Sequence, residues 1–253
     1  MTITVIDEQS VTRELICENC RQLGHAVVGA AGDWVTGLSY VVYKSPDIII
    51  LGLQIGGQSG LELLKVAQEA GVAARVLATA PNCSRYVAFE VGRSPICGFI
   101  DFNTVSRADL REAIEAVCDG RVYYSAALCK MRATLHDDPR SFDKWLTGRE
   151  IAVLALVGSD FADEEMGRIL GIGSETVRKH RRNVGKKLGL PSRLDVQTYA
   201  HEEGFPRIDR KASSLAKIGL SLARQALRDR GQAGVVMPEH YILRPLRLRA
   251  VRE

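Results

Sequence analysis

The sequence has no apolar run approaching the roughly 18 residues that a bilayer-crossing helix needs, so no membrane partner is expected. It has no basic start followed by an apolar core, so no secretory signal is expected and the predicted location is the cytoplasm. Its six cysteines (Cys17, Cys20, Cys83, Cys97, Cys118 and Cys129) are scattered and are expected to stay reduced there. Only Cys17 and Cys20 sit at a ligand-like spacing. With no second pair to complete a metal site, core packing is the better reading, and no metal or cofactor is expected. Cys83 is a redox-sensitive thiol only if it proves exposed. There is also no nucleophile with a matching base, and no pair of catalytic carboxylates outside the acidic positions discussed below. The chain is therefore not expected to be an enzyme.

What is present is an ordinary globular composition, 46% hydrophobic and 25% charged, in 253 residues, enough for one large domain or two modest ones. The net charge of +4 hides an uneven distribution. Residues 1–125 hold 10 Lys and Arg against 14 Asp and Glu, residues 145–203 hold 9 of each, and residues 204–253 hold 11 against 4. An acidic front, a balanced middle and a basic tail imply a different partner for each part.

The front reads as alternating strands and helices. Thr2–Ile6 is a short β-branched run, followed by a helical pattern with Val11, Leu15, Ile16 and Leu23 on one side and a stop at Gly24. His25–Ala30 is a second strand and Val35–Tyr43 a second helix. Asp47–Leu51 is continuously apolar, as in a central parallel strand covered on both faces. A helix over Leu61–Ala70, a strand over Arg75–Ala78, a helix over Ser84–Val91, a strand over Gly98–Ile100 and a helix over Ala108–Val117 complete the pattern. This alternation predicts a doubly wound parallel sheet of five strands, whose ligands would lie beyond the strand ends at Asp7–Glu8, Gly52, Thr79 and Asp101.

Residues 1–124 resemble the receiver domain of a two-component response regulator. By that resemblance Asp7 and Glu8 match the acidic pair that holds magnesium, Thr79 matches the switch hydroxyl, and Gly60-Leu-Glu62 opens the third helix. The departures matter equally. Gly52 stands at the phosphate acceptor, Gly56 at the loop proline, Ser59 at an acid, and Asp101 where a phosphate-neutralising lysine is expected. Glycine has no carboxylate to attack a phosphoryl donor, and Asp101 puts negative charge where phosphate would sit. A degenerate phosphorylation pocket of Asp7, Glu8, Gly52, Thr79 and Asp101 follows. Its carboxylates are either a solvated acidic rim or a residual divalent-cation site.

Residues 125–144 show little periodicity and read as a linker. Thr147 then precedes Glu150 at capping-box spacing, and Ile151, Val153, Leu154 and Leu156 form an apolar side. Asp163 is placed to cap a second helix, with Met166, Ile169 and Leu170 facing inward, and Gly171-Ile-Gly173 is a tight turn. In the third helix Val177, Val184 and Leu188 make a core stripe, while six of the ten residues 178–187 are Lys or Arg. A cationic helix behind a short helix and a glycine turn is the recognition-helix arrangement that enters the major groove.

The segment 145–203 resembles the LuxR-type (NarL/FixJ) helix-turn-helix domain. Leu146-Thr-Gly-Arg-Glu150, Leu170-Gly-Ile172, Thr176-Val-Arg-Lys-His180 and Lys186-Lys-Leu-Gly189 stand in register with that family. The resemblance implies base contacts from Arg178, Lys179 and Arg182. It implies phosphate contacts from Thr176, Lys186 and Arg193, and a dimer contact through Leu194, Val196 and Tyr199 on the last helix. Asp160 replaces a turn glycine, Gly167 an alanine and Gly173 a serine cap. The resemblance therefore implies a homodimer on double-stranded DNA. The alternatives left open are a protein or small-molecule partner at the receiver-like half, and a module that titrates another signalling protein. Residues 204–253 include an amphipathic pattern over Ser213–Leu227 and an alternating apolar and cationic end over Ile242–Arg252, and resemble neither module.

Overall fold

The computed structural model describes residues 1–208, and the two patterns expected beyond Gly204, at 213–227 and 242–252, lie outside the described residues. The strands β1 (Thr2–Ile6), β2 (Ala26–Ala31), β3 (Ile48–Gly52), β6 (Arg75–Ala80), β7 (Gly98–Asp101) and β8 (Tyr123–Tyr124) form one parallel sheet in the order β2-β1-β3-β6-β7-β8. The sixth strand, β8, exceeds the five expected. It is two residues long, too short to carry an alternation signal, and exists because Phe99 pairs with Tyr124 at the sheet edge.

Every residue of β3 is buried, because helices cover both faces. Helices α1 (Ser10–Gln22) and α5 (Arg107–Cys118) close over Ile3, Val5, Ile48 and Ile50. Helices α2 (Trp34–Lys44), α3 (Gly60–Glu69) and α4 (Arg85–Arg93) close over Ile6, Ile49 and Leu51 on the other face. Cys17, Cys20 and Cys118 pack inside the first of these layers. Val11, expected on the buried side of α1, is 77% exposed instead. It lies in the first turn of the helix, ahead of Ile16, Cys17 and Cys20, the apolar residues that α1 buries.

Between β3 and α3 the chain makes a small hairpin of β4 (Gln54–Ile55) and β5 (Gln58–Ser59). Its two turn residues, Gly56 and Gly57, have φ of +58° and +75°, the pair of positive angles that a type I′ turn requires. Proline, locked near −65°, could not occupy Gly56. Glycine at 56 is thus a requirement of the loop's shape.

The segment expected as an unpatterned linker is largely helical, with α6 (Ala126–Asp137) and the single turn α7 (Phe142–Trp145). Helix α6 packs against α4, which supplies the order that its weak periodicity does not. The C-terminal bundle follows as α8 (Gly148–Gly158), α9 (Asp163–Leu170), α10 (Ser174–Leu188) and α11 (Arg193–Glu202). Thr147 and Glu150 cap α8 reciprocally, with Thr147 N donating to Glu150 Oε2 at 2.8 Å and Glu150 N to Thr147 Oγ1 at 3.3 Å. Gly171 ends α9 in the left-handed region, its N–H donating to Gly167 O. Val177 and Val184 are fully buried, as the stripe predicts, whereas Ile169 is 44% exposed and does not face inward.

The two halves share one continuous apolar cluster. Phe142 is fully buried between Phe89 of α4 and Phe205, with ring centroids at 5.3 and 5.2 Å, and Tyr86 stacks on Phe205 at 4.4 Å. Arg85 at the start of α4 pairs with Asp138 and, at 3.2 Å, with Glu203. Tyr86 N donates to Glu203 O at 2.9 Å. Burial pushes the Glu203 carboxyl up even though Arg85 opposes it, while the hydrogen bond from Arg85 holds Asp138 below its usual range. Gly204 has φ of +77°, and a Cβ there would lie 2.2 Å from the Cβ of Ser84, the residue that caps α4. Gly204→Ala therefore combines left-handed strain of about 1–2 kcal/mol with a collision at a fixed neighbour. A lowered thermal midpoint is expected, checked by calorimetry against Gly148→Ala, a position with open space around it.

Candidate nucleic-acid interface

Helix α10 begins at Gly173, which caps it without a side chain, and carries its cations around the Val177/Val184 stripe. Thr176, Lys179, Arg182 and Lys186 are exposed. Among the described residues no ion pair engages Lys179, Arg182 or Lys186, so their charge faces solvent. Arg181, Arg182, Lys186 and Arg193 also line a groove of about 410 Å³ that runs to Pro191 and Ser192 at the start of α11. These groups lie on one rigid helix and its neighbour, which is the arrangement that binding a polyanion requires.

Several cations here, Arg181 and Arg193 of the groove among them, are paired internally. Arg178, expected to read bases, is 39% exposed and meets Asp163 at 3.4 Å, Glu164 at 3.7 Å and Glu175 more closely still. Arg181, which the sequence did not single out, donates to Asp163 at 3.0 Å. Arg193, expected on phosphate, instead donates to Phe161 O at 2.6 Å and pairs with Asp163 at 3.6 Å. In this arrangement its guanidinium ties the start of α11 to the α8–α9 turn. Lys187 pairs with the buried Glu150 at 2.7 Å. Burial pushes Glu150 up, but Lys187 and the Thr147 bonds outweigh it and hold the carboxyl below its usual range. Asp163 does not cap α9 either: Ala162 occupies the cap position, and its N–H donates to Glu165 at 2.9 Å. The equal count of acids and bases in this segment was the available sign that many of its cations are paired.

The residues expected to form a dimer contact do not share one exposed face. Leu194 is 69% exposed, but Val196 is 2% exposed in the bundle core. Tyr199 is half-buried against that core, its hydroxyl pushed up by burial and by the nearby Glu203 carboxylate.

At the sheet's carboxyl edge the acidic residues are each occupied. Thr79 Oγ1 and Gln9 N donate to Asp7 at 3.3 and 2.9 Å. Burial holds the Asp7 carboxyl above its usual range. Glu8 accepts from Gly56 N at 2.6 Å, a donor that proline lacks. Asp101, 4% exposed, accepts from Cys83 N at 2.8 Å and Asn103 N at 2.9 Å, and so ties two loops together. Gly52, paired with Thr79 across β3 and β6, borders a cavity of about 40 Å³. Among the described residues no three His, Cys, Asp or Glu side chains gather in a metal-holding group. Cys83 is half-buried, and burial with the Asp101 carboxylate pushes its thiol up to about 12, which removes the thiolate that redox reactivity needs.

Comparison with known proteins matches residues 144–200 to the luxR family of bacterial regulatory proteins. Over longer spans the chain is 30% identical to the transcriptional regulatory protein MctR of Rhizobium johnstonii, covering 71% of this chain and 82% of that protein. It is 29% identical to a nitrate/nitrite response regulator homolog of Haemophilus influenzae (70% and 84% covered) and 25% identical to NarL of Escherichia coli (80% and 95% covered). Among solved structures, RcsB of Salmonella enterica serovar Typhimurium, bound to a promoter in the presence of a phosphomimetic, shares the fold with a TM-score of 0.55 at 19% identity, covering 80% of this chain and 98% of RcsB. Among the described residues no helix is long and apolar enough to cross a membrane.

Proposed function

We propose that this chain, which belongs to the NarL/FixJ response regulators with a luxR-type DNA-binding domain, is a sequence-specific transcription regulator that binds DNA as a homodimer without aspartyl phosphorylation. The observation that carries the phosphorylation-independent part is Gly52 at the end of β3, where the acceptor carboxylate would stand. Two rearrangements support it. Glu8 is held by Gly56 N, and Asp101 by Cys83 N and Asn103 N, so neither is poised around a phosphoryl group. The receiver-like half then serves as a scaffold, and DNA occupancy follows protein level or a partner.

On DNA, Lys179 and Arg182 face the base edges from the exposed side of α10, with Arg178 joining them once it leaves its exposed carboxylates. Thr176 and Lys186 take the flanking phosphates. Leu194 is the apolar side chain of α11 left for a second copy.

The test is fragment selection from genomic DNA with purified protein, with and without acetyl phosphate and magnesium. One enriched sequence in both conditions, with no phosphate adduct in the intact mass, is the expected result. A phosphorylated species with altered DNA affinity would overturn the phosphorylation-independent reading, and no enrichment in either condition would overturn the DNA-binding one.

A further inference from the structure

Asp163, in the first turn of α9, is the meeting point of three arginines from two other helices. Its Oδ2 lies 3.0 Å from Arg181 Nη2 and 3.4 Å from Arg178 Nε, and its Oδ1 lies 3.6 Å from Arg193 Nη1. Its side chain is 11% exposed, whereas Glu164 and Glu175, the other two partners of Arg178, are 66% and 77% exposed. Burial alone would raise the Asp163 carboxyl, yet Arg181, Arg193 and Arg178 together hold it below its usual range. A nearly buried carboxylate beside three guanidinium groups is a fixed anchor. An ion pair to an exposed glutamate contributes only about 0–1 kcal/mol and exchanges readily.

The geometry divides the guanidinium of Arg178 in two. Asp163 engages Nε on the protein side, and the exposed glutamates engage Nη1 and Nη2 on the solvent side. A guanine edge needs a two-pronged donor in a set orientation, and Nη1 and Nη2 supply it once the glutamates swing away. Holding Nε in place removes rotamer freedom that Arg178 would otherwise lose on binding.

We infer that Asp163 is a positioning residue that orients Arg178 for base reading and withholds Arg178, Arg181 and Arg193 from indiscriminate phosphate contact. The inference rests on the DNA-binding reading above. It assigns sequence preference to a residue that never touches DNA. Without the anchor, Arg178 loses its orientation, while Arg181 is released to any phosphate and Arg193 is held only by Phe161 O and Asp160. Specific binding should weaken and non-specific binding strengthen, opposite movements that a loss of fold could not produce.

The experiment compares Asp163→Asn with wild type on two duplexes of equal length, the fragment that wild type enriches and a mixed-sequence control, across a salt series. The expected result is a roughly tenfold loss on the preferred duplex. On the control, affinity should be tighter, with a steeper salt dependence as further phosphates are neutralised. Glu164→Gln/Glu175→Gln is the second variant, expected to tighten binding to both duplexes and keep their ratio. Equal loss on both duplexes for Asp163→Asn, or a preference that survives it, overturns the inference. So does a lost preference in the double glutamine variant, which would place the orienting role on the exposed glutamates. Wild type with no preference at all overturns the DNA-binding reading instead.

Discussion

Arg178→Ala/Arg182→Ala should reduce affinity for the preferred DNA sequence by roughly 30-fold or more, from about 1–3 kcal/mol for each lost two-pronged base contact. The two single variants should differ in kind. Arg182 is exposed and unpaired in ion bridges among the described residues, so its loss removes a free cation as well as a base contact. Binding should weaken on every duplex, most on the preferred sequence, and the salt dependence should flatten. Arg178 is already neutralised by Asp163, Glu164 and Glu175, so its loss should be felt on the preferred sequence alone. Fluorescence anisotropy over a salt series on both duplexes reads each effect. Equal losses from the two single variants on both duplexes would show that the pairing of Arg178 with Asp163 does not set how it meets DNA. Retention of full affinity by the double variant would move the interface away from α10 altogether.

Phe142→Ala should lower the thermal midpoint by on the order of 10 °C and divide one unfolding transition into two. Truncating a fully buried Phe costs about 3–5 kcal/mol, against a total stability of about 5–15 kcal/mol for a domain. The division follows from position. Phe142 packs edge-on against Phe89 of the receiver-like half and against Phe205 beyond the helical bundle, so its ring couples the two halves. The Arg85 ion pairs would remain, but they are partly solvated and cannot replace that burial. Differential scanning calorimetry with a probe in each half distinguishes the outcomes. A single transition that moves by only a degree or two would mean that the ring cluster is not the principal coupling.

The coupling bears on how the protein works. The faces joined by Phe142, Tyr86, Phe205 and Arg85 leave Thr176, Lys179, Arg182 and Lys186 exposed on α10. The docked arrangement therefore presents the cationic helix rather than covering it. An output helix already in solvent is what the proposed phosphorylation-independent reading requires.

By itself, the sequence determined what depends on neighbours along the chain. Periodicity gives the alternating strands and helices, because a continuous apolar run such as Ile48–Leu51 has nowhere to go but a strand covered on both faces. The Thr147–Glu150 spacing gives the start of α8, Gly171 the end of α9, and the Val177/Val184 stripe the buried side of α10, each within a turn or two of helix. By identity alone Gly52 supplies no carboxylate at the end of β3. Tertiary structure decided everything that depends on which charge meets which. Asp163 reads as a helix cap until α10 and α11 bring three arginines to it, and nothing along the chain shows that Arg193 meets Phe161 O and Asp163. Gly56 looks like a lost proline until its N–H is found on Glu8. Helix α6 looks like a linker until α4 packs on it. Charge and hydrogen bonding act through a few ångströms of space across long stretches of sequence. Only the folded chain fixes which of its many cations remain free to meet DNA.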